Sequence, residues 1–280
     1  MNAHPYVRCV VFDLDDTLWS QKLNLSAAHE AMCDALHCES AKHATSLDSS
    51  CLDYGIFRQE ILKTMSEHPD RKHDFTFLRR TTLGRLTNHF ELADCLMDAW
   101  LRKRNSPVFY IGAVEALKSL KAAGMKVGTL TDGNADVRLI EDIKDVVDFC
   151  ITSAEVGASK PDARMFSKCE SESQCLPHQM VMIGDSLEKD VLGAKKAGWR
   201  GIWVRPPKDG SGAIGSPYDM FSSTATSLED GESRADACVD SVTEVEDIIF
   251  GWNRQQETNS LEDNGLLAAS PLSKKSRVGS

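Results

Sequence analysis

The stretch VVFDLDDTLW, residues 10 to 19, closes an apolar run with three aspartates inside four positions, Asp13, Asp15 and Asp16. Two carboxylates about 4 Å apart repel by roughly 4 kcal/mol at an effective dielectric near 20, so an apolar strand that ends this way calls for a positive charge bound nearby. Three more polar clusters follow short apolar runs: Thr131-Asp132-Gly133-Asn134, Ser159-Lys160-Pro161, and Gly184-Asp185 through Lys189-Asp190. Carboxylates of this kind can act as nucleophile, proton shuttle or hard oxygen ligand to a cation. A threonine hydroxyl, turn N–H groups and a lysine can hold an anion.

These clusters need a scaffold that brings four strand ends together. Val-, Ile- and Cys-rich runs alternate with helical patterns, the signature of a parallel sheet with crossover helices. The strands are expected at residues 6–12, 126–130, 149–152, 180–183 and 201–204, with helices at 113–123, 135–147, 163–172 and 189–197. A last strand, 237–242, and helix, 243–250, close the domain. In a doubly wound sheet of this kind ligands bind beyond the carboxyl ends of the strands, where all four clusters fall. Residues 19–105 contain helical spacing only, at 25–36, 57–65, 75–86 and 91–102, and are read as a helical cap inserted into an α/β core formed by residues 1–18 and 106–253. Pro206 to Ala235 reads as a long surface loop, and residues 254–280 as a polar, disordered tail. The KKSR run at Lys274 to Arg277 reads as part of that solvated tail, with nuclear import the weaker alternative.

A hydrophobic content of 41% in 280 residues supports a folded core. No segment reaches the roughly 18 apolar residues of a membrane span, and the N-terminus lacks the pattern of a signal peptide, which predicts a cytoplasmic protein. The net charge of -10 argues against nucleic acid or an anionic membrane as partner, but not against a small phosphorylated molecule. Nine cysteines without a CxxC pair read as reduced thiols; Cys33 and Cys38 lack the partners of a zinc site. The chain is expected to be a monomer or homodimer.

The four clusters, taken in order, resemble the motifs of the haloacid dehalogenase superfamily: hhhhDxDxT, hhhT/S, a lysine followed by proline, and hhhGDxxxxD. The resemblance spans about residues 6–205 and implies a Rossmann-like core with a type I helical cap. It implies that Asp13 is a nucleophile forming an aspartyl-phosphate and Asp15 the general acid and base. Thr131, Asp132 and Lys160 are placed at the phosphate, Asp132 more through its backbone than its carboxylate. Mg²⁺ is assigned to the Asp13 and Asp185 carboxylates and the Asp15 backbone carbonyl, with Asp190 behind them, acting through water or orienting Lys160. The residue types agree: phosphate monoesters hydrolyse extremely slowly in water, and a held nucleophile with strong charge neutralisation is what their transfer requires.

The predicted activity is therefore Mg²⁺-dependent hydrolysis of a small phosphate ester. Haloacid dehalogenation is disfavoured because the family's dehalogenases lack the second aspartate, present here as Asp15. Phosphonate cleavage would need a buried cap lysine, which nothing marks in Lys22 or Lys63. A phosphomutase and a catalytically silent binding module remain as alternatives. The stretch LTDGNADV and the IWVRPP strand end resemble the branch with flavin-pathway phosphatases, which leaves flavin mononucleotide or phosphoribitylamino-uracil beside phosphoglycolate and sugar phosphates as substrates. Asp16 is read as shaping the turn, Glu188 and Lys189 as an exposed helix start, and His73 and His89 as surface or packing residues. Trp19 is read as either a hinge or a substrate-facing aromatic.

Overall fold

The computed structural model describes residues 6–40, 49–206 and 233–263. Six parallel strands form one sheet in the order β3-β2-β1-β4-β5-β6. They are β1 (Cys9–Phe12), β2 (Lys126–Thr131), β3 (Phe149–Thr152), β4 (Met180–Gly184), β5 (Arg200–Val204) and β6 (Ala237–Val239). Strand β1 lies between β2 and β4, so Phe12 sits level with Thr129 on one side and Ile183 on the other. The order reverses at β1, which makes the gap beyond its carboxyl end the place where a ligand can enter.

Alternation along β1 shows why both faces of the sheet must be covered. Val10 and Phe12 pack with Leu117 of α5 (Ala113–Ala122) and Ile249 of the C-terminal helix α9 (Val245–Asp263). Cys9 and Val11 face the opposite way, onto Met165 and Phe166 of α7 (Ala163–Ser173) and Ala194 of α8 (Gly193–Lys196). A strand buried on both faces reads as an unbroken apolar run, as CVVF does. The short helix α6 (Ser153–Val156) follows β3 directly, with Thr152 and Glu155 closing a reciprocal capping box.

Four helices lie between β1 and α5: α1 (Gln21–Ser40), α2 (Tyr54–Glu67), α3 (Phe75–Thr87) and α4 (Phe90–Arg104). Their apolar stripes meet in a core of their own around Met32, Leu36, Ile61, Leu78, Leu83, Leu96 and Trp100. The chain leaves the sheet and returns to it at adjacent points. Trp19 bridges to Phe109, and Tyr110 donates its N–H to the Leu18 carbonyl at 2.9 Å.

Three expected elements differ. Residues 135–147 form no α-helix: a 3-10 turn at Val137–Leu139 is followed by chained turns. Val137, Ile140, Ile143, Val146 and Val147 are β-branched, and Asp136 turns its carboxylate onto the Arg138 N–H at 3.0 Å, a local bond that competes with the helix. The helix expected at 189–197 opens as a π-helical segment, Leu187–Leu192, before α8. At the C-terminus α9 runs on to Asp263, past Arg254, where the chain was expected to lose structure. The rest of the tail, its KKSR run, and residues 207–232 of the expected loop lie outside the described residues. Cys9, Cys38, Cys95, Cys150, Cys169 and Cys175 are free thiols, and among the described residues no helix is long and apolar enough to cross a membrane.

Candidate active site

The site is built where β1, β2 and β4 end. Asp13 follows β1 directly and its N–H donates to the Ile183 carbonyl at 2.9 Å, so the strand ladder itself carries this carboxylate to the sheet edge. Lys160 reaches the same point from the turn after α6. Its Nζ donates to Asp13 Oδ1 at 2.6 Å, to Asp190 Oδ1 at 2.7 Å and to the Leu130 carbonyl at 3.0 Å. All three of its protons are thereby used, and the side chain is 3% exposed. Burial alone would depress this ammonium, but Asp13, Asp190 and Asp132 together hold it well above its ordinary range.

Asp190 is fully buried and spends its second oxygen on the Ser186 N–H at 3.0 Å. The π-helical segment makes this possible. The Ser186 carbonyl accepts from both Asp190 and Val191, so the extra residue in the turn aims Asp190 inward under the strand end. Asp190 thereby meets the Lys160 ammonium with the oxygen that the Ser186 N–H leaves free.

Asp185 follows β4, its N–H donates to Thr17 Oγ1 at 3.1 Å, and its Oδ1 accepts from the same hydroxyl at 3.4 Å. Burial, then the charge of Asp13, pushes the Asp185 carboxyl well above the usual range. Burial likewise raises Asp13 to about 7 against the pull of Lys160. Oxygens of Asp13, Asp185 and Asp190 lie within 4.8 Å of one another. With Asp190 already bonded on both oxygens, Asp13 and Asp185 are the carboxylates left short of positive charge. That all-oxygen donor set suits a hard divalent cation such as Mg²⁺.

Asp15 has a different setting. Its Oδ1 accepts from Trp19 Nε1 at 2.9 Å and its Oδ2 from Arg104 Nη2 at 2.5 Å. Arg104, at the end of α4, is 1% exposed and also binds Asn24 of α1 through Nη1, while Asn24 Nδ2 returns to the Arg104 carbonyl at 3.2 Å. The inserted helices thus reach into the site and hold the second aspartate of the DxD pair. Trp19 is fully buried, edge-on to Phe109 with centroids 5.3 Å apart, so it serves as a core anchor and donor. Asp16 has φ 59°, and its Oδ1 accepts the Gln21 N–H at 2.9 Å, which shapes the turn and starts α1.

Thr131 ends β2, and its hydroxyl accepts the Gly133 N–H at 2.9 Å, which tightens the turn. A side chain at Gly133 would place its Cβ 2.9 Å from Arg104 Nη2 and from Asp15 Oδ2. Asp132 points elsewhere: its carboxylate accepts the Lys160 N–H at 2.8 Å, and its carbonyl accepts from Ser153 Oγ at 2.8 Å. Its side chain aligns the lysine turn with the β2 turn. His73 offers only its backbone carbonyl to Ser153, and His89 caps α4.

Sequence reasoning singled out neither Arg104 nor Arg79. Arg104 sits in the run Arg102-Lys103-Arg104, which reads as a solvated helix end, and no local signal distinguishes the buried member. Arg79 of α3 is 6% exposed, with its guanidinium 4.5 Å from the Trp100 ring centroid. Burial, then the charge of Arg104, lowers it to about 9.

A buried aspartate behind a parallel sheet, a lysine across it, a second aspartate two residues on and a helical insertion overhead define an aspartate-based hydrolase with a cap. The family model described as haloacid dehalogenase-like hydrolase matches residues 7–198, and the chain belongs to that family. A related model, HAD-hydrolase-like, matches residues 157–245. Among similar proteins is a glyceraldehyde 3-phosphate phosphatase of Methanopyrus kandleri, 29% identical over 72% of this chain and 85% of its own. A ribulose-1,5-bisphosphate 5-phosphatase of Halopiger xanaduensis is 23% identical over 86% and 98%. Among solved structures, a 2-haloacid dehalogenase from Pseudomonas syringae superposes with a TM-score of 0.68 at 25% identity, covering 88% of this chain and 99% of its own.

Proposed function

We propose that this chain is a Mg²⁺-dependent phosphatase acting on a small phosphorylated metabolite through an aspartyl-phosphate. The observation that carries the reading is the division of labour between two aspartates two residues apart. Asp13 faces Lys160 at 2.6 Å, and Asp15 faces Trp19 and Arg104. An Asp13 oxygen attacks phosphorus while Asp15 gives a proton to the departing alcohol oxygen, and the P–O bond to the substrate breaks as the P–O bond to Asp13 forms. Asp15 then takes a proton from water, whose oxygen attacks the same phosphorus, releasing phosphate and restoring Asp13. Lys160 offsets the negative charge at Asp13, and the Thr131 hydroxyl with the N–H groups of its turn receives the phosphate oxygens. Mg²⁺, held by Asp13, Asp185 and the Asp15 carbonyl, would neutralise phosphate charge when bound.

Dehalogenation, the activity named for the Pseudomonas syringae neighbour, needs no proton delivered to a leaving alcohol. Asp15 supplies the second carboxyl that such a step uses. The cap over the site favours small esters over phosphoproteins. Phosphoglycolate, sugar phosphates and flavin-pathway phosphates stand as substrates to compare, joined by those named for the relatives, glyceraldehyde 3-phosphate and ribulose 1,5-bisphosphate. The test is release of phosphate from p-nitrophenyl phosphate with Mg²⁺. Turnover by the wild type and at least about 10³-fold less by Asp13→Asn is expected; no turnover, or equal turnover in the variant, rejects the reading.

A further inference from the structure

Two arginines of the cap are buried with more donors than acceptors. Arg104 gives Nη2 to Asp15 and Nη1 to Asn24, and its Nε has no partner. Arg79 is 6% exposed, and among the described residues no hydrogen bond or ion pair reaches it; its Nε is likewise unpartnered and buried. Its contacts are ring faces, Trp100 at 4.5 Å and Phe75 at 5.4 Å. A buried, uncompensated guanidinium costs several kcal/mol, so a fold that keeps one in a cap core holds it for a charge that arrives from outside.

Its placement says where that charge arrives. On α3, Arg79 stands three residues after Thr76, on the same helical face. Thr76 Oγ1 accepts from Asn134 Nδ2, at 3.3 Å, in the turn that follows β2. Arg79 thus lies on the side of the cap that faces the site, close enough to Arg104 and Asp15 for both charges to act on it. Asp15 is the group that meets the leaving oxygen, so a substituent a few bonds beyond that oxygen comes to the arginines.

We propose that Arg79, beside the Arg104–Asp15 ion pair, receives a second anionic group, a carboxylate or a second phosphate, on the leaving portion of the substrate. The inference rests on the phosphatase reading and narrows its substrate class to phosphate esters that carry a second anionic group, with the planar fork of Arg79 reading that group.

Two matched pairs test it. 3-Phosphoglycerate against glycerol 3-phosphate asks for the carboxylate, and ribulose 1,5-bisphosphate against ribulose 5-phosphate asks for the second phosphate. In at least one pair the wild type is expected to favour the member with the extra anion by at least about ten-fold in kcat/KM. Arg79→Gln should reduce that ratio by at least about five-fold, chiefly through KM, and Arg79→Lys, which keeps charge and volume but loses the fork, by at least about three-fold. A wild-type ratio near one in both pairs overturns the proposal whatever the variants do, as does a ratio unchanged in Arg79→Lys. Turnover of p-nitrophenyl phosphate separates the two failures: with it, only the second-anion site falls; without it, the phosphatase reading falls too.

Discussion

Lys160 and Asp13, 147 residues apart in sequence, meet at 2.6 Å beneath the end of the first strand, and the same ammonium reaches Asp190 at 2.7 Å. One cation therefore holds two buried carboxylates together. Removing one member of such a buried group costs about 3–5 kcal/mol, because the remaining charges stay desolvated and unpaired. At roughly 2–4 °C per kcal/mol for a chain of this size, Lys160→Met should melt about 6–20 °C below wild type in EDTA. Differential scanning calorimetry reads this directly, and a shift under about 2 °C would mean that the lysine is not the partner these carboxylates rely on.

Trp19→Phe keeps a ring against Phe109 but removes the Nε1 donor 2.9 Å from Asp15 Oδ1. If that bond orients the proton shuttle, kcat for p-nitrophenyl phosphate should fall by at least about ten-fold while KM changes by less than about three-fold. Steady-state kinetics on the two proteins decides; an equal rise in KM with unchanged kcat would assign Trp19 to substrate binding instead.

Gly133 is a tight approach between the β2 turn and the cap. A Cβ there would come within 2.9 Å of both Arg104 Nη2 and Asp15 Oδ2. Gly133→Ala should therefore cost about 1–3 kcal/mol of stability and separate that ion pair. Urea titration should show the loss, and activity should drop with it. Wild-type stability and rate in this variant would contradict the close packing of Arg104 on the turn.

Burial raises Asp13 to about 7 and holds Asp185 well above the carboxylate range. The folded chain then binds more protons than the unfolded one between about pH 4, the ordinary carboxylate range, and about pH 7. The associated stability is fully present below the unfolded value and is lost as pH rises through the folded one. In EDTA the protein should accordingly melt higher at pH 6 than at pH 8. Excess Mg²⁺ should raise Tm most at pH 8, where the carboxylates are ionised, and shrink the difference between the two. A higher Tm at pH 8 in EDTA, or a difference that Mg²⁺ leaves untouched, would contradict a cation site at Asp13 and Asp185.

Much of the fold is local and therefore legible. The runs CVVF, VMIG and GIWV are apolar because both faces of the sheet are buried, and each cap helix carries its apolar stripe at helical spacing. Residues 135–147 show the limit of that reading, since an apolar spacing compatible with a helix is written there in β-branched residues around an aspartate that bonds its own backbone.

Residue order alone marks the polar groups that end the strands, because Asp13, Thr131 and Asp185 each close an apolar run that can only be sheet core. It also determined that a helical insertion follows the first strand. The long-range partners of those groups come from packing: Lys160 from 147 residues on, and Arg104 from 89 residues after Asp15. Nothing in the run Arg102-Lys103-Arg104 marks its last member, and nothing around Arg79 distinguishes it from Arg80, which is paired with Asp94 at the surface. Burial decides between such neighbours, and it is a property of packed helices rather than of residue type, because the same guanidinium is inert in water and acts at full strength where water is excluded.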